Sequence, residues 1–384
     1  MFLTALVPIK LVDSCNNVIW SNPKTNSTFY CRPIKFAFIK ENPEVVRQEE
    51  NAMVMSVNEL KVYTTSIENK DLSISYEMIL TMFDGSIANI LSETNSCSKC
   101  IICGATPKEM NSDTVLDKSP VTQNYRFGIS TLHCWIRFFE CLLHIAYRLP
   151  IKTWQVKGAE NKAITENTKR TIQENFKSKM GLIVDKPKPG YGSTNDGNTA
   201  RRFFQNPVLS SQITGIDKEL IEKFHLILRI LASGCNIDIT NFRILLNDTR
   251  RLYLHLYSWY YMPSSVHKVL VHGCDIIDFF ELPIGQLAED ALEERHKEFR
   301  KIRLCNSRKT SRVNANTDII STLLLTSDPE LSSYRQSTKK NKNILYDNKI
   351  KEYIIIENSQ NTLVESVFGL ELSSSLSSDD DQSD

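Results

Sequence analysis

Two cysteines three positions apart in "CIICGATPKEMN", residues 100–111, constrain this chain more than any other feature. A C-x2-C pair presents two thiolates from one turn of chain, and a tetrahedral metal site then requires two further ligands. No second C-x2-C follows, so the remaining ligands must come from distant sequence and the site must tie remote segments together. The half-site itself is ambiguous, because Cys97–Cys100 and Cys100–Cys103 share the same spacing. A thioredoxin-like redox use fits poorly without a βα context around the motif. The best complementary half is "HKVLVH", with His267 and His272 in an H-x4-H spacing. On an undistorted helix these histidines stand about 140° apart. One of them must therefore lie near a helix end or a bend. The alternative is a pair of surface or capping histidines.

The other eight cysteines are scattered without the even spacing of a small disulfide-stapled domain, which suggests a reducing compartment. The chain carries 46 basic and 45 acidic side chains, so a nucleic-acid partner would have to be met locally rather than by an overall cationic field. An apolar fraction of 41% over 384 residues is enough for a buried core and for two or three domains. The apolar start "MFLTALVPI" lacks a basic n-region and reads as a strand rather than a signal peptide. Stretches such as "CLLHIAYRL" fall short of a membrane span. A soluble intracellular protein is expected.

Residues 1–90 read as β-rich, with runs at "FLTALVPIKL", "NVIW", "FYCRPIKFAFI" and "SISYEMILTMF", and a partly helical stretch before the last. Helical periodicity dominates 127–180, where Gly181 offers a stop, and resumes at about 217–232, 240–257, 264–280 and 287–303. Between them "DKPKPGYGSTNDGNTARRFFQNP" reads as a long loop. After about residue 333 the composition becomes polar, and residues 357–384 hold seven acidic and no basic side chains. A disordered tail over 334–384 is expected.

Acidic candidates are anonymous one at a time. Asp84 closes a strand-like run as an Asp-Gly turn, Glu41 follows "KFAFIK", and Glu293 is placed for an exposed helical ion pair with Lys297. Together, carboxylates at two strand ends and on a late helix could hold two magnesium or manganese ions for phosphodiester chemistry. Residues 295–312 hold eight Lys or Arg and one Glu, a local charge of +7 suited to a phosphate backbone. Within that segment Arg300, Lys301, Arg303, Arg308 and Lys309 are the candidate contacts. Arg201 and Arg202, after the long loop, are candidates for a second surface.

Taken in order, "FYCRPIKFAFIKE", "MILTMFDG", "CIICGATPKEMN", "TLHCWIRFFECLLHIAYRL", "KMGLIVDKPKPGYGSTNDGNTARRFFQNP", "SSVHKVLVHGCDII" and "PIGQLAEDALEERHKEFRKIRLCNSRKTSRVNANTDIISTLLLTSDP" resemble the Transib family of DNA transposases. Through that family they resemble the catalytic core of the vertebrate V(D)J recombination-activating protein. The likeness runs from residue 1 to about 333. It implies an α/β plus α fold: a partial RNase H-like (DDE-type) domain over 1–95, a zinc-binding helical insertion over 96–283, and a final catalytic helix with a basic segment over 284–333. By the same resemblance the zinc ligands are Cys100, Cys103, His267 and His272, which leaves Cys97 outside. The catalytic carboxylates are Asp84 and Glu293, with Glu41 matching a further acidic position.

The implied activity is magnesium- or manganese-dependent nicking and strand transfer at transposon terminal repeats in double-stranded DNA. A nuclear location is implied, with a homodimer as a further option and no membrane partner. The family's first catalytic aspartate lies upstream of the segment that opens this chain, and Asp13 is not a substitute for it. The expectation is therefore an inactive, amino-terminally truncated transposase. The competing reading is a non-catalytic, transposon-derived protein that retains a zinc-stabilised DNA-binding or interaction unit.

Overall fold

The structure, a computed structural model, describes every residue except 1, 23, 40–41, 68–69, 80–82, 84, 95, 189–191, 329, 332–333, 335–347 and 356–384. Glu41, Asp84 and most of the expected tail thus lie outside the described residues. The fold is mixed α/β and mostly helical, with small antiparallel sheets.

Strand β1 (Phe2–Leu6) pairs with β4 (Arg32–Ala37), and β2 (Lys10–Val12) pairs with β3 (Val18–Ser21). The β1–β4 register shifts between Thr4 and Ala5, where Ala5 faces Pro33. Proline has no N–H to give to the ladder, so an irregularity at that point is the physical expectation. Asp13 makes the β2–β3 turn: its carboxylate accepts from the backbone N–H groups of Cys15 and Asn17, both at 2.8 Å. Helix α1 (Pro43–Asn58) starts at an Asn42 cap with proline in its first turn. Strands β5 (Tyr63–Ile67) and β6 (Lys70–Ile74) form a hairpin, and helix α2 (Gly85–Leu91) follows. The strand expected across 73–83 ends at Ile74, and residues 75–79 carry no regular structure. Among the described residues no sheet joins more than two strands.

The helical unit begins with α3 (Pro107–Met110), one turn closed by a reciprocal Thr106–Glu109 capping box. Two 3-10 turns, Asp113–Asp117 and Thr122–Phe127, lead to α4 (Thr131–Arg148). Helix α4 carries one polar stripe, His133, Arg137, Glu140, His144 and Arg148, and is apolar over the rest of its surface, a wide face that belongs against a core. Trp135, Phe138, Phe139, Leu142, Leu143 and Ile145 are accordingly buried.

Around it pack α5 (Ala159–Met180), α6 (Gly197–Gln205), α7 (Pro207–Thr214), α8 (Lys218–Leu231) and α10 (Ser264–Phe279). Helix α9 (Ile239–Tyr257) packs on α8 and α10, and the two-residue β7 (Asn236–Ile237) precedes it. Gly181 ends α5 with φ 61°, a left-handed conformation that glycine adopts without strain. Helix α6 lies inside the segment read as a loop. Its Asp196 cap and the buried Ala200, Phe203 and Phe204 form an ordinary amphipathic helix behind a Pro/Gly-rich lead.

A 3-10 turn, Ile284–Leu287, delivers the chain to α11 (Asp290–Lys301), which continues through a π-helical turn at Ile302–Asn306 to α12 (Arg312–Thr326). A second, small core joins Phe299, Ile302, Ile319 and Leu323 to Phe36 of β4. The Phe36 and Phe299 rings meet edge-on at 5.2 Å.

The expected disorder over 334–384 does not hold throughout. A single helical turn, Asn348–Lys351, packs on α8, and β8 (Ile354–Ile355) pairs with β7. Burial of Ile350 and Ile354 is the cause. No helix of the described residues is long and apolar enough to cross a membrane.

Candidate metal centre

The Cys100–Gly104 turn is built by its backbone. Gly104 N–H donates to the Cys100 carbonyl at 2.9 Å, and Cys100 N–H donates to Ala105 O at 3.0 Å. The Ile102 N–H points at Cys100 Sγ, 3.4 Å away. Gly104 closes the turn at φ 67°, where a side chain would be strained. Both sulfurs are thereby directed to one side, toward the start of α10.

His267 lies in the first turn of α10, with its N–H on Pro263 O at 2.9 Å. Both histidines lie within α10, and their ring centroids are 5.2 Å apart. Ligating atoms of Cys100, Cys103, His267 and His272 all lie within 4.8 Å of one another, and all four residues are buried. Cys103 Sγ is 3.4 Å from His267 Nε2. A sulfur and a nitrogen on one tetrahedral zinc stand about 3.5 Å apart, given bonds of about 2.3 and 2.0–2.1 Å. Cys97 is exposed and outside the cluster, although its carbonyl accepts from Ser264 Oγ and so holds the turn against α10.

The electrostatics also suit a cation. A hydrogen bond with Cys100 holds the Cys103 thiol far below the usual range, and the same bond, with burial, raises Cys100. Two buried sulfurs in contact suit a dication, which would take both as thiolates. Burial lowers the His267 pKa, which keeps its imidazole neutral and able to ligate. His272 Nε2 is buried without a hydrogen-bond partner. An orphaned ring nitrogen beside two thiols fits a metal ligand. The four side chains form a cluster able to hold a metal ion such as zinc, and among the described residues it is the one Cys/His/carboxylate grouping of that kind.

The surroundings fix the cluster in the core. Asn111 bridges the carbonyls of Ser258 and Tyr260 and accepts from Met262 N–H at 2.8 Å. The buried Arg250 of α9 reaches Asp113 Oδ1 at 2.7 Å and Ser112 O at 2.8 Å. Lys268, beside His267, donates to Gly128 O at 3.0 Å, and burial lowers its pKa.

Of the proposed catalytic carboxylates, Glu293 alone is among the described residues. It is half-buried in the first turn of α11, one turn after Glu289, whose carbonyl accepts its N–H at 3.1 Å. Lys297 pairs with Glu294 at 2.9 Å, not with Glu293. Glu289 carries a role that spacing did not reveal. Its carboxylate bonds the hydroxyl of Ser130, the α4 cap, and lies 2.7 Å from His133 Nδ1. The start of α11 is thus tied to the start of α4.

The basic candidates separate into two groups. Arg308 grips Asp318 with Nε and Nη2, Arg202 donates to Met180 O at the end of α5, and Arg201 stands 3.7 Å from Asp290 over the Trp135 ring. Those three are engaged within the fold. Arg300, Arg303 and Lys309 line an open pocket of about 590 Å³ together with Leu304, Ser311, Arg312 and Ala315. Arg303 lies over the Phe38 ring at 4.3 Å, and Lys309 Nζ bonds the Arg303 carbonyl. Lys301 is exposed at the end of α11. Arg295, counted within the basic run, is fully buried and bonds the carbonyls of Thr28 and Cys31 and the hydroxyl of Thr326.

No protein-family model and no curated protein matches this chain.

Proposed function

We propose that this chain is a DNA-contacting polypeptide of the DDE-transposase type, ordered by a structural zinc at Cys100, Cys103, His267 and His272. The observation that carries the reading is the cationic pocket of Arg300, Arg303, Lys309 and Arg312 on the segment that continues α11, the helix of Glu293. Guanidinium and ammonium groups around an open pocket suit phosphate oxygens, and stacking on Phe38 orients Arg303 for that use. Packing of α11 and α12 on β4 supports assigning residues 1–95 and 284–333 to one RNase H-like unit, with the zinc-ordered helices inserted between them. In this reading Asp84, Glu293 and Glu41 would supply carboxylate oxygens to magnesium or manganese, the hard ligands such ions prefer. Double-stranded DNA at terminal repeats is the partner and the nucleus the location.

Duplex binding measured by fluorescence anisotropy across a salt series tests this. Replacing Arg300, Arg303 and Lys309 together by Gln is expected to weaken binding and to flatten the salt slope by roughly 0.9 for each phosphate no longer neutralised. An unchanged slope would sink the proposal. Metal-dependent nicking of the same duplex, abolished in Glu293→Gln with binding retained, separates the enzyme from a non-catalytic DNA-binding unit.

A further inference from the structure

Residues 348–355 reach the helical unit with undescribed sequence on either side, and yet they are closely seated on it. The Asn348–Lys351 turn lies on α8, and β8 runs antiparallel to β7, with Ile237 opposite Ile354 and Asn236 opposite Ile355. The Asp238 N–H donates to Tyr353 O at 2.9 Å, and Asn241 Nδ2 donates to Glu352 O at 3.2 Å. Ile350 is 2% exposed and Ile354 6%, Tyr353 packs against the main core, and the alternate Ile355 is 53% exposed.

This arrangement has both parts of strand-addition recognition: main-chain hydrogen bonds along a short edge, and sockets for alternate side chains. Without the segment, β7 would present an unpaired edge beside the apolar sockets of Ile350 and Ile354. We infer that the groove between α8, β7 and α9 is a peptide-binding site for an Ile-x-x-Tyr-Ile segment, filled in this chain by its own residues 348–355. Recognition resides in Ile350, Tyr353 and Ile354 and not in the preceding covalent connection. The segment stays bound when that connection is cut.

The full-length chain with a specific protease site inserted between Asn341 and Lys342 tests this. After cleavage under native conditions, the carboxy-terminal fragment is expected to co-elute with the body in size-exclusion chromatography. Excess synthetic peptide spanning 346–357 should displace it. The Ile350→Asp/Ile354→Asp peptide should compete about a hundredfold less well or worse, since both buried apolar side chains are removed. Separation of the wild-type fragment from a body that keeps its helical circular dichroism would overturn the inference. Equal competition by the double-Asp peptide would do the same. An uncleaved chain that elutes as a dimer and falls to monomer on adding the peptide would assign the groove to a second copy's segment and overturn the intrachain seat.

Discussion

Metal removal should lower the melting temperature of the helical unit by about 8–16 °C. A ligand held a thousandfold above its dissociation constant stabilises the folded state by about 4 kcal/mol. For a unit of the size spanned by residues 96–283, each kcal/mol moves the midpoint by about 2–4 °C. Local chemistry acts in the same direction. A metal would also take up the ring nitrogen of the buried His272. The test is calorimetry on metal-loaded protein with and without a strong chelator, with metal content followed by atomic emission. Cys103→Ser should bind little zinc and should melt near the chelated wild type, because one missing thiolate opens the tetrahedron. A chelated protein, shown free of metal, that melts within about 2 °C of the loaded form would refute the reasoning. So would protein that takes up no metal from zinc-supplemented buffer while Cys100 and Cys103 stay reduced.

Gly285→Ala should destabilise by about 1–3 kcal/mol in urea unfolding, because a β-carbon there would stand 2.7 Å from Gly234 N and 2.8 Å from Leu231 O, both backbone atoms. Arg295→Leu should cost more than a surface arginine, since it strands the Thr28 and Cys31 carbonyls at roughly 1–3 kcal/mol each, and thermal melts of the two variants compare them. Burial lowers the His144 pKa below its ordinary value, so the unfolded chain takes up the proton first. The stability it contributes is present above the unfolded pKa near 6.5 and is lost as pH falls through and below it. His144→Phe should therefore flatten the decline in stability between pH 7.5 and 5.5.

Much of the helical unit was legible in sequence because its helices carry local signals. Asp217 and Asp238 cap α8 and α9, and Gly181 ends α5, so those boundaries fall within a residue or two of expectation. Helix α6 was hidden because Pro and Gly before Asp196 outweighed its short apolar stripe. The tail's docking turn was hidden by averaging over a polar stretch, although Ile350, Tyr353 and Ile354 are spaced for one turn and a strand. Arg295 shows the limit of charge counting. It lies four positions from both Ala291 and Phe299 on the inner face of α11, so helical period marks it as internal while composition counts it as basic. The four metal-cluster residues were legible as a spacing, and the resemblance chose Cys103 over Cys97. Only the tertiary fold could bring a loop at residue 100 to a helix at residue 267.

That long-range closure also bears on how α11 is held. Lys268 follows His267 directly and binds the Gly128 carbonyl two residues before Ser130. Ser130 and His133 hold the Glu289 carboxylate, and Glu289 opens α11 one turn before Glu293. Each step is made by a side chain, the Lys268 ammonium on the Gly128 carbonyl and the Glu289 carboxylate on Ser130 Oγ and His133 Nδ1. The link from the Cys/His cluster to Glu293 therefore runs through side chains rooted near the starts of α10, α4 and α11. On this argument the cluster is a positional constraint on α11 as well as a local clamp. The second core of Phe299, Ile302, Ile319 and Leu323 fixes the other end of the same helix. A helix tied at its start to one core and at its end to another has little freedom to tilt. The orientation of Glu293 thus depends on both cores at once.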